Sequence, residues 1–162
     1  IREALVHLYP VPILKKAPSS FEPDEAINEV GVPFLDAVLR SRLAPGLFDA
    51  EAIRKAGVYS GGVLRTFFRL LRAGAELARD NNLAAVDARV MGVAIKVVRL
   101  NETMSLRDTH YRALAAVHRT NQIEGAADGS YLDDSYVIEC YNDKVWYEAN
   151  PLLWLLLDPA HK

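Results

Sequence analysis

The sequence is poor in cysteine and has no long apolar run, and these two absences limit where the chain can work. Cys140 is the single cysteine among 162 residues, so it cannot form an internal disulfide and needs no oxidising compartment. The apolar stretch Pro151–Leu157 is too short to span a bilayer. No signal peptide is recognisable. We therefore expect a cytoplasmic protein with no membrane partner.

The recognised motifs for catalysis and metal binding are also missing. There is no H-E-x-x-H, and His110 and His118 would lie about 12 Å apart along a helix, too far apart to share one ion. There is no G-x-x-x-x-G-K-[ST] phosphate loop, no acidic strand end to hold a metal, and no nucleophile motif. We therefore expect no catalysis by this chain alone, no metal site and no cofactor of its own.

Charge is distributed unevenly along the chain, although the net charge is only −2. Residues 54–120 carry twelve basic and five acidic side chains, a balance of +7, whereas residues 1–53 have a balance of −3 and residues 121–162 one of −6. A basic middle between acidic flanks favours an anionic ligand or an acidic partner surface. Ordinary helices with solvated charged faces would explain the same distribution.

The most informative stretch runs from Tyr59 to Asp80. Ser60 is a candidate helix N-cap, and the pair Gly61 and Gly62 permits a sharp turn before the helix begins. Apolar residues then recur at steps of three and four, which predicts a buried stripe of Leu64, Phe67, Phe68, Leu71, Ala75 and Ala78. The other side of the same helix holds Arg65, Arg69, Arg72 and Arg79.

The rest of the pattern predicts a mainly helical fold that ends in a β-hairpin. A helix over about residues 24–42 is expected to break near Gly31 and Pro33. Asp49 is a candidate N-cap for a short helix that Gly57 would end. Ser105 and Asp108 form a capping pair for the last long helix. The further helices are predicted over residues 87–101 and 106–119.

The hairpin is predicted over residues 136–149. Asn142-Asp143 is a two-residue turn signal between two segments of strand-forming residues. Such a turn would pair Cys140 with Val145 and place Trp146 on the outer face.

This order of parts resembles the C-terminal side of AAA+-type and STAND-type ATPases of bacteria and archaea. In those proteins a small helical lid follows the nucleotide-binding core, and a winged-helix domain often follows the lid. The run from Ser60 to Arg65, S-G-G-V-L-R, is similar to the lid-helix start that presents a "sensor 2" arginine. The run Tyr141-Asn142-Asp143…Trp146-Tyr147…Pro151-Leu152-Leu153 resembles the wing and tail.

The resemblance implies a lid-like region over residues 1–82, with residues 1–14 as the exit from an absent nucleotide-binding core, and a winged-helix-like domain over residues 83–162. It implies that Arg65, with Ser60, Gly61 and Gly62, senses a nucleotide. ATP and Mg²⁺ would belong to the parent protein, since the chain lacks the phosphate loop. The chain begins at Ile1 with no initiator methionine, so we expect a piece of a longer protein that contacts its own core or a protein partner.

Two other functions stay open. A stand-alone winged-helix module could bind DNA through the basic helices, with contacts from Arg107, Arg112 and Arg119. The acidic residues around the hairpin would repel phosphates and oppose this. We therefore expect a winged helix to serve protein–protein contact or packing on its own ATPase core, with Tyr141, Trp146 and Trp154 as candidate interface residues; a purely structural helical interaction domain is the other alternative. Such aromatics more commonly cover a domain's own core.

Overall fold

Helices make up most of the fold, and an antiparallel β-hairpin follows them, as the sequence predicts. The computed structural model describes residues 10–15, 21–28, 30–123, 129–142 and 144–159. In that part of the chain the helices are α1 (Val32–Arg40), α2 (Ala50–Ser60), α3 (Leu64–Asp80), α4 (Ala88–Thr103), α5 (Asp108–Thr120), α6 (Gly129–Asp133) and α7 (Trp154–Leu157). The strands are β1 (Val137–Asn142) and β2 (Lys144–Ala149), and short 3₁₀ turns cover Pro23–Ala26 and Pro151–Leu153. Within the described residues, no helix has the length and apolarity needed to cross a membrane.

Helix α3 packs against both α2 and α4, which also pack against each other. The predicted apolar stripe is confirmed at Phe67, Leu71 and Ala78, which are buried. Leu64, the first residue of the helix, is 39% exposed. Phe68 and Ala75 of the predicted stripe are only half-buried, whereas Thr66, Leu70 and Gly74 are buried. The stripe is therefore core, as expected, with its edge displaced by one position.

The break before α3 is confirmed, but the predicted role of Ser60 is wrong. Ser60 is the last residue of α2, and its hydroxyl donates to the carbonyl of Gly57 at 2.7 Å. The α2 helix thus continues through Gly57, which was expected to end it. Gly61 ends α2 in the left-handed conformation, with φ +61°, and α3 begins with Val63 as an N-cap that makes no side-chain hydrogen bond. The hydroxyl closes the preceding helix and also accepts from the backbone N–H of Gly62 at 3.2 Å, a residue that precedes the N-cap of α3.

The predicted capping pair of α5 is also wrong. The helix begins at Asp108, so Ser105 lies too early in the chain to cap it. Instead, Nδ1 of His110 accepts a hydrogen bond from the backbone N–H of Arg107 at 2.9 Å. The imidazole takes the position that a glutamate occupies in the usual capping box.

The hairpin forms where predicted, but its register differs by one residue. Cys140 pairs with Trp146, and Asn142 pairs with Lys144, so Asn142 belongs to the strand and the turn begins one residue later than predicted. Position 143 lies outside the described residues. A slip of one residue exchanges the faces of a strand. Trp146 and Glu148 are consequently buried, whereas Val145 is exposed.

One hydrophobic core extends across the predicted domain boundary at residue 82. Buried residues from α2, α3, α4, α5 and the hairpin belong to the same cluster. The segment around Ile13 and Leu14 joins this core, and Leu14 forms an isolated bridge with Ile27. Residues 1–9 of the predicted exit segment lie outside the described residues. The division into two domains stays a prediction.

Candidate functional site

A small polar cleft lies beside the N-terminal end of α3. Its walls come from the start of α3, the C-terminal end of α4 and the segment before β1, and its volume is about 50 Å³. Ligand pockets usually measure about 300–1,000 Å³, so this cleft has room for a small anionic group and not for a nucleoside. The polar side chains that line it include Arg65, Arg69, Glu102, Asp134, Ser135 and Tyr136.

The turn before α3 fixes the position of Arg65. Gly61 and Gly62 have φ values of +61° and +80°, a backbone conformation that favours glycine. The backbone N–H of Val11 donates to the carbonyl of Gly62 at 3.0 Å. Ser60 and both glycines are buried, so they cannot touch a ligand directly. Their contribution to a site at Arg65 would be to hold the first turn of α3 in place.

Arg65 differs from the other three arginines of α3. Arg69 forms an ion pair with Glu102, whereas Arg72 and Arg79 pair with their own-helix carboxylates Glu76 and Asp80 at 2.9 and 3.0 Å. Arg65 is exposed at the edge of the cleft. Within the described ranges, it makes no ion pair and no hydrogen bond. Among the described residues, Arg65 is therefore the one guanidinium of the predicted basic face that forms no ion pair.

A second cleft of about 240 Å³ adjoins the first, since Asp134 and Tyr136 line both. His110 borders it, and because Nδ1 accepts from a backbone N–H, the neutral ring carries its proton on Nε2. The hydroxyls of Ser105 and Tyr136 lie 3.4 Å apart. The Ser105 hydroxyl thus pairs with a phenol rather than an imidazole. We find no nucleophile–base pair among the described residues of this second cleft.

A buried polar cluster joins the end of α5 to β2. Nδ1 of His118 lies 2.7 Å from Oε1 of Glu148, which also accepts from the backbone N–H of Ala149 at 2.8 Å. Asn121 donates from Nδ2 to Oε2 of Glu148 at 3.0 Å. Burial raises the pKa of Glu148, and the hydrogen bonds from His118, Ala149 and Asn121 oppose that shift.

This cluster cannot serve as an active site. His118 and Glu148 are almost completely enclosed, and the rings of Phe21 and Trp154 lie 4.7 and 4.6 Å from the imidazole. The inward position of His118 is confirmed. Its partner Glu148 was missed because the predicted register placed that carboxylate on the outer face of the hairpin. The cluster therefore holds the hairpin against α5.

The remaining predicted site residues lie away from the cleft. Arg107, Arg112 and Arg119 are exposed on or beside α5. Trp146 and Trp154 are buried, and Nε1 of Trp154 donates to the carbonyl of Ala149 at 2.7 Å. Both tryptophans serve the core and present no surface to a partner, because the observed register turns β2 over and α7 packs on α5. Of the three predicted interface aromatics, only Tyr141 is exposed.

Comparison of the chain with protein-family models, with curated proteins and with solved structures finds no match. Within the described residues, no cluster of three or more His, Cys, Asp or Glu side chains could hold a metal ion. The cleft around Arg65 is therefore the candidate site; two arginines, Arg65 and Arg69, and two carboxylates, Glu102 and Asp134, line it.

Proposed function

We propose that this chain is a regulatory and interaction region of an AAA+-like ATP-binding protein, in which Arg65 contacts the terminal phosphate of a nucleotide. One observation carries the proposal. Arg65 is the only arginine of α3 without a partner among the described residues, and it stands on the first helical turn after a rigid glycine turn. A guanidinium offers a planar set of donors that fits phosphate oxygens in pairs.

The size of the cleft indicates how such a contact would be made. At about 50 Å³ the cleft can receive a phosphate group, whereas the base and ribose would need a larger site. The nucleotide and its Mg²⁺ would therefore be bound by another part of the parent protein. The N-terminal end of α3 adds favourable electrostatics, because the dipole of a helix is positive there.

Contacts of the glycine turn suggest how a nucleotide signal would reach the rest of the fold. A Cβ atom at Gly61 would lie 2.3 Å from Cδ1 of Ile138 and 2.9 Å from Cδ of Pro151. Gly61 therefore packs directly against β1 and the 3₁₀ turn that begins at Pro151. If Arg65 moved towards a phosphate, we expect the preceding glycine turn to shift against Ile138 and Pro151. The hairpin is thus the element that we expect to respond to nucleotide state.

The test is ATP turnover by the parent protein with Arg65→Ala. Removing a phosphate-directed arginine should lower turnover by at least about 10-fold. Arg72→Ala is the matched control, since Arg72 lies on the same helix and pairs only with Glu76 at the surface. We expect the control to keep its turnover and both variants to keep the wild-type melting temperature. Unchanged turnover in Arg65→Ala, or a parent protein that does not bind ATP, would overturn the proposal.

A second candidate function is duplex DNA binding through α5. Arg112 and Arg119 are exposed, neither forms an ion pair with a described carboxylate, and they lie two turns apart, about 10 Å along one side of the helix. Binding that weakens steeply with salt, and that Arg112→Ala weakens at every sequence tested, would favour this function. Affinity that does not change with salt would exclude it.

A further inference from the structure

Four apolar side chains form an exposed row along the outer side of α4. Val93, Val97, Leu100 and Met104 are 46%, 43%, 67% and 80% exposed. Their spacing of four, three and four residues keeps them on one side of a helix with 3.6 residues per turn. We call these four residues the α4 row. Single exposed apolar residues are ordinary, but four large ones in one contiguous row form a patch of the kind that marks an interaction site.

An apolar groove continues the α4 row at its N-terminal end. The groove has a volume of about 340 Å³; its walls are the apolar residues Leu77, Leu83, Val90 and Val93, with Asn81 and Arg89 at the polar part of the lining. That volume accepts one or two large apolar side chains. Together with the row, the groove makes one exposed apolar patch, a feature that often marks an interaction site.

The α4 row is flanked on one side by two cations. Arg89 precedes Val93 by four residues and Lys96 precedes Leu100 by four, so both cations lie on the same side of the row, about 10 Å apart. Both are exposed, and neither makes an ion pair within the described part of the chain. The nearby carboxylate of Asp87 is engaged, because it accepts from the backbone N–H of Val90 at 2.7 Å.

We propose that the α4 row and its groove bind an amphipathic helix of a partner protein, and that this helix has an acidic flank. Apolar side chains of such a helix, spaced by three and four residues, would cover the row and place one anchor in the groove. Its carboxylates would face Arg89 and Lys96, which supplies the charge complementarity that selects one partner over others. The proposal is independent of any nucleotide contact at Arg65.

A second copy of this chain fits the surface less well. An antiparallel two-fold pairing would align Val93 with Met104 and Val97 with Leu100 of the other copy. The same operation would bring the basic flank of each copy against the basic flank of the other, and like charges repel.

The test uses two designed 20-residue helical peptides with this chain. Both carry leucines at the spacing of the α4 row; one has glutamates along one flank, and its twin has lysines at the same positions. Fluorescence anisotropy should show the acidic peptide binding at least about 10-fold more tightly than its twin at low salt. The preference should decrease as salt screens the charges.

Matched variants separate the apolar and the charged contributions. Leu100→Gln should weaken binding of the acidic peptide by about 10-fold or more, since it removes a central contact. Val145→Gln is the control, because Val145 is 45% exposed on β2, away from the row. The double variant Arg89→Glu with Lys96→Glu should reverse the preference towards the lysine peptide, whereas Arg112→Glu on α5 should not. All these side chains are exposed, so we expect unchanged melting temperatures.

Several outcomes would overturn the proposal. Equal affinity for both peptides would reduce the row to a non-selective apolar patch. Equal weakening by Leu100→Gln and Val145→Gln would place binding elsewhere. Sedimentation that shows a dimer, lost in Leu100→Gln, would assign the row to a second copy. Absence of binding at about 1 mM of the acidic peptide, an affinity worth only about 4 kcal/mol, would exclude a docking role.

Discussion

The turn between α2 and α3 should tolerate no side chain at Gly62. An ideal Cβ on Gly62 would lie 1.9 Å from the carbonyl oxygen of Val11, which is far inside van der Waals contact. The obstructing atom belongs to the backbone, so no side chain can rotate away to make room. Gly62→Ala must therefore displace the segment at Val11 and break the hydrogen bond from its N–H to the carbonyl of Gly62.

Gly46 supplies the control that isolates this clash. Its φ of +87° is close to the +80° of Gly62, but a Cβ on Gly46 would meet no atom within 4 Å. Left-handed backbone costs an alanine about 1–2 kcal/mol at either site. Only Gly62→Ala adds the disrupted hydrogen bond, whose unsatisfied groups cost a further ~1–3 kcal/mol when buried. We therefore expect a loss of about 2–5 kcal/mol for Gly62→Ala, at least ~1 kcal/mol more than for Gly46→Ala.

The assay is urea unfolding of this chain, followed by circular dichroism, with the free energy of unfolding compared between the two variants. The slope against denaturant should stay the same, so that the difference reflects the native state. If the two variants lose the same free energy within about 0.5 kcal/mol, Val11 is not anchored on the turn as described. The reasoning that the turn fixes Arg65 would then fail as well.

Two further predictions concern buried ionisable groups. Burial raises the pKa of Glu148, so the stability that its protonated form contributes is complete below the ordinary pKa of 4.5 and is lost as pH rises through the folded pKa. Between pH 4 and pH 7 the free energy of unfolding of the wild type should therefore fall relative to that of Glu148→Gln. A change in the opposite direction would contradict the raised pKa. Burial raises the pKa of Cys140 to about 12. At pH 8 a disulfide reagent should therefore label the native protein orders of magnitude more slowly than the urea-unfolded chain. Labelling of the native protein within seconds would show that the thiol is accessible.

Local patterns in the sequence predict the elements that depend on local physics. The period of α3 identifies its buried face, and Asp49 caps α2 as predicted, accepting from the N–H of Ala52 at 2.6 Å. The glycine pair predicts the sharp turn. Each of these features depends on residues within about one helical turn of each other, so a short stretch of sequence contains all the interactions that decide it.

Features that depend on distant partners could not be predicted in this way. The register of the hairpin is decided partly by Glu148, whose carboxylate is tolerated inside only because His118 and Asn121 meet it there. Likewise, the pattern of α3 shows four similar arginines. Only the tertiary structure brings Glu102 of α4 to Arg69 and leaves Arg65 without a described partner.

Helix α4 connects the two surfaces for which we propose functions. Glu102 holds Arg69 at the cleft, and Leu100 of the α4 row lies two residues earlier on the outer side of the same helix. A helix is stiff over such a distance, so a partner that shifts the row would also shift Glu102 and the wall of the cleft. Coupling of this kind is measurable as a free energy: the effects of Leu100→Gln and Glu102→Gln on binding of the acidic peptide should not add if docking displaces α4. Strict additivity would mean that the row and the cleft act independently.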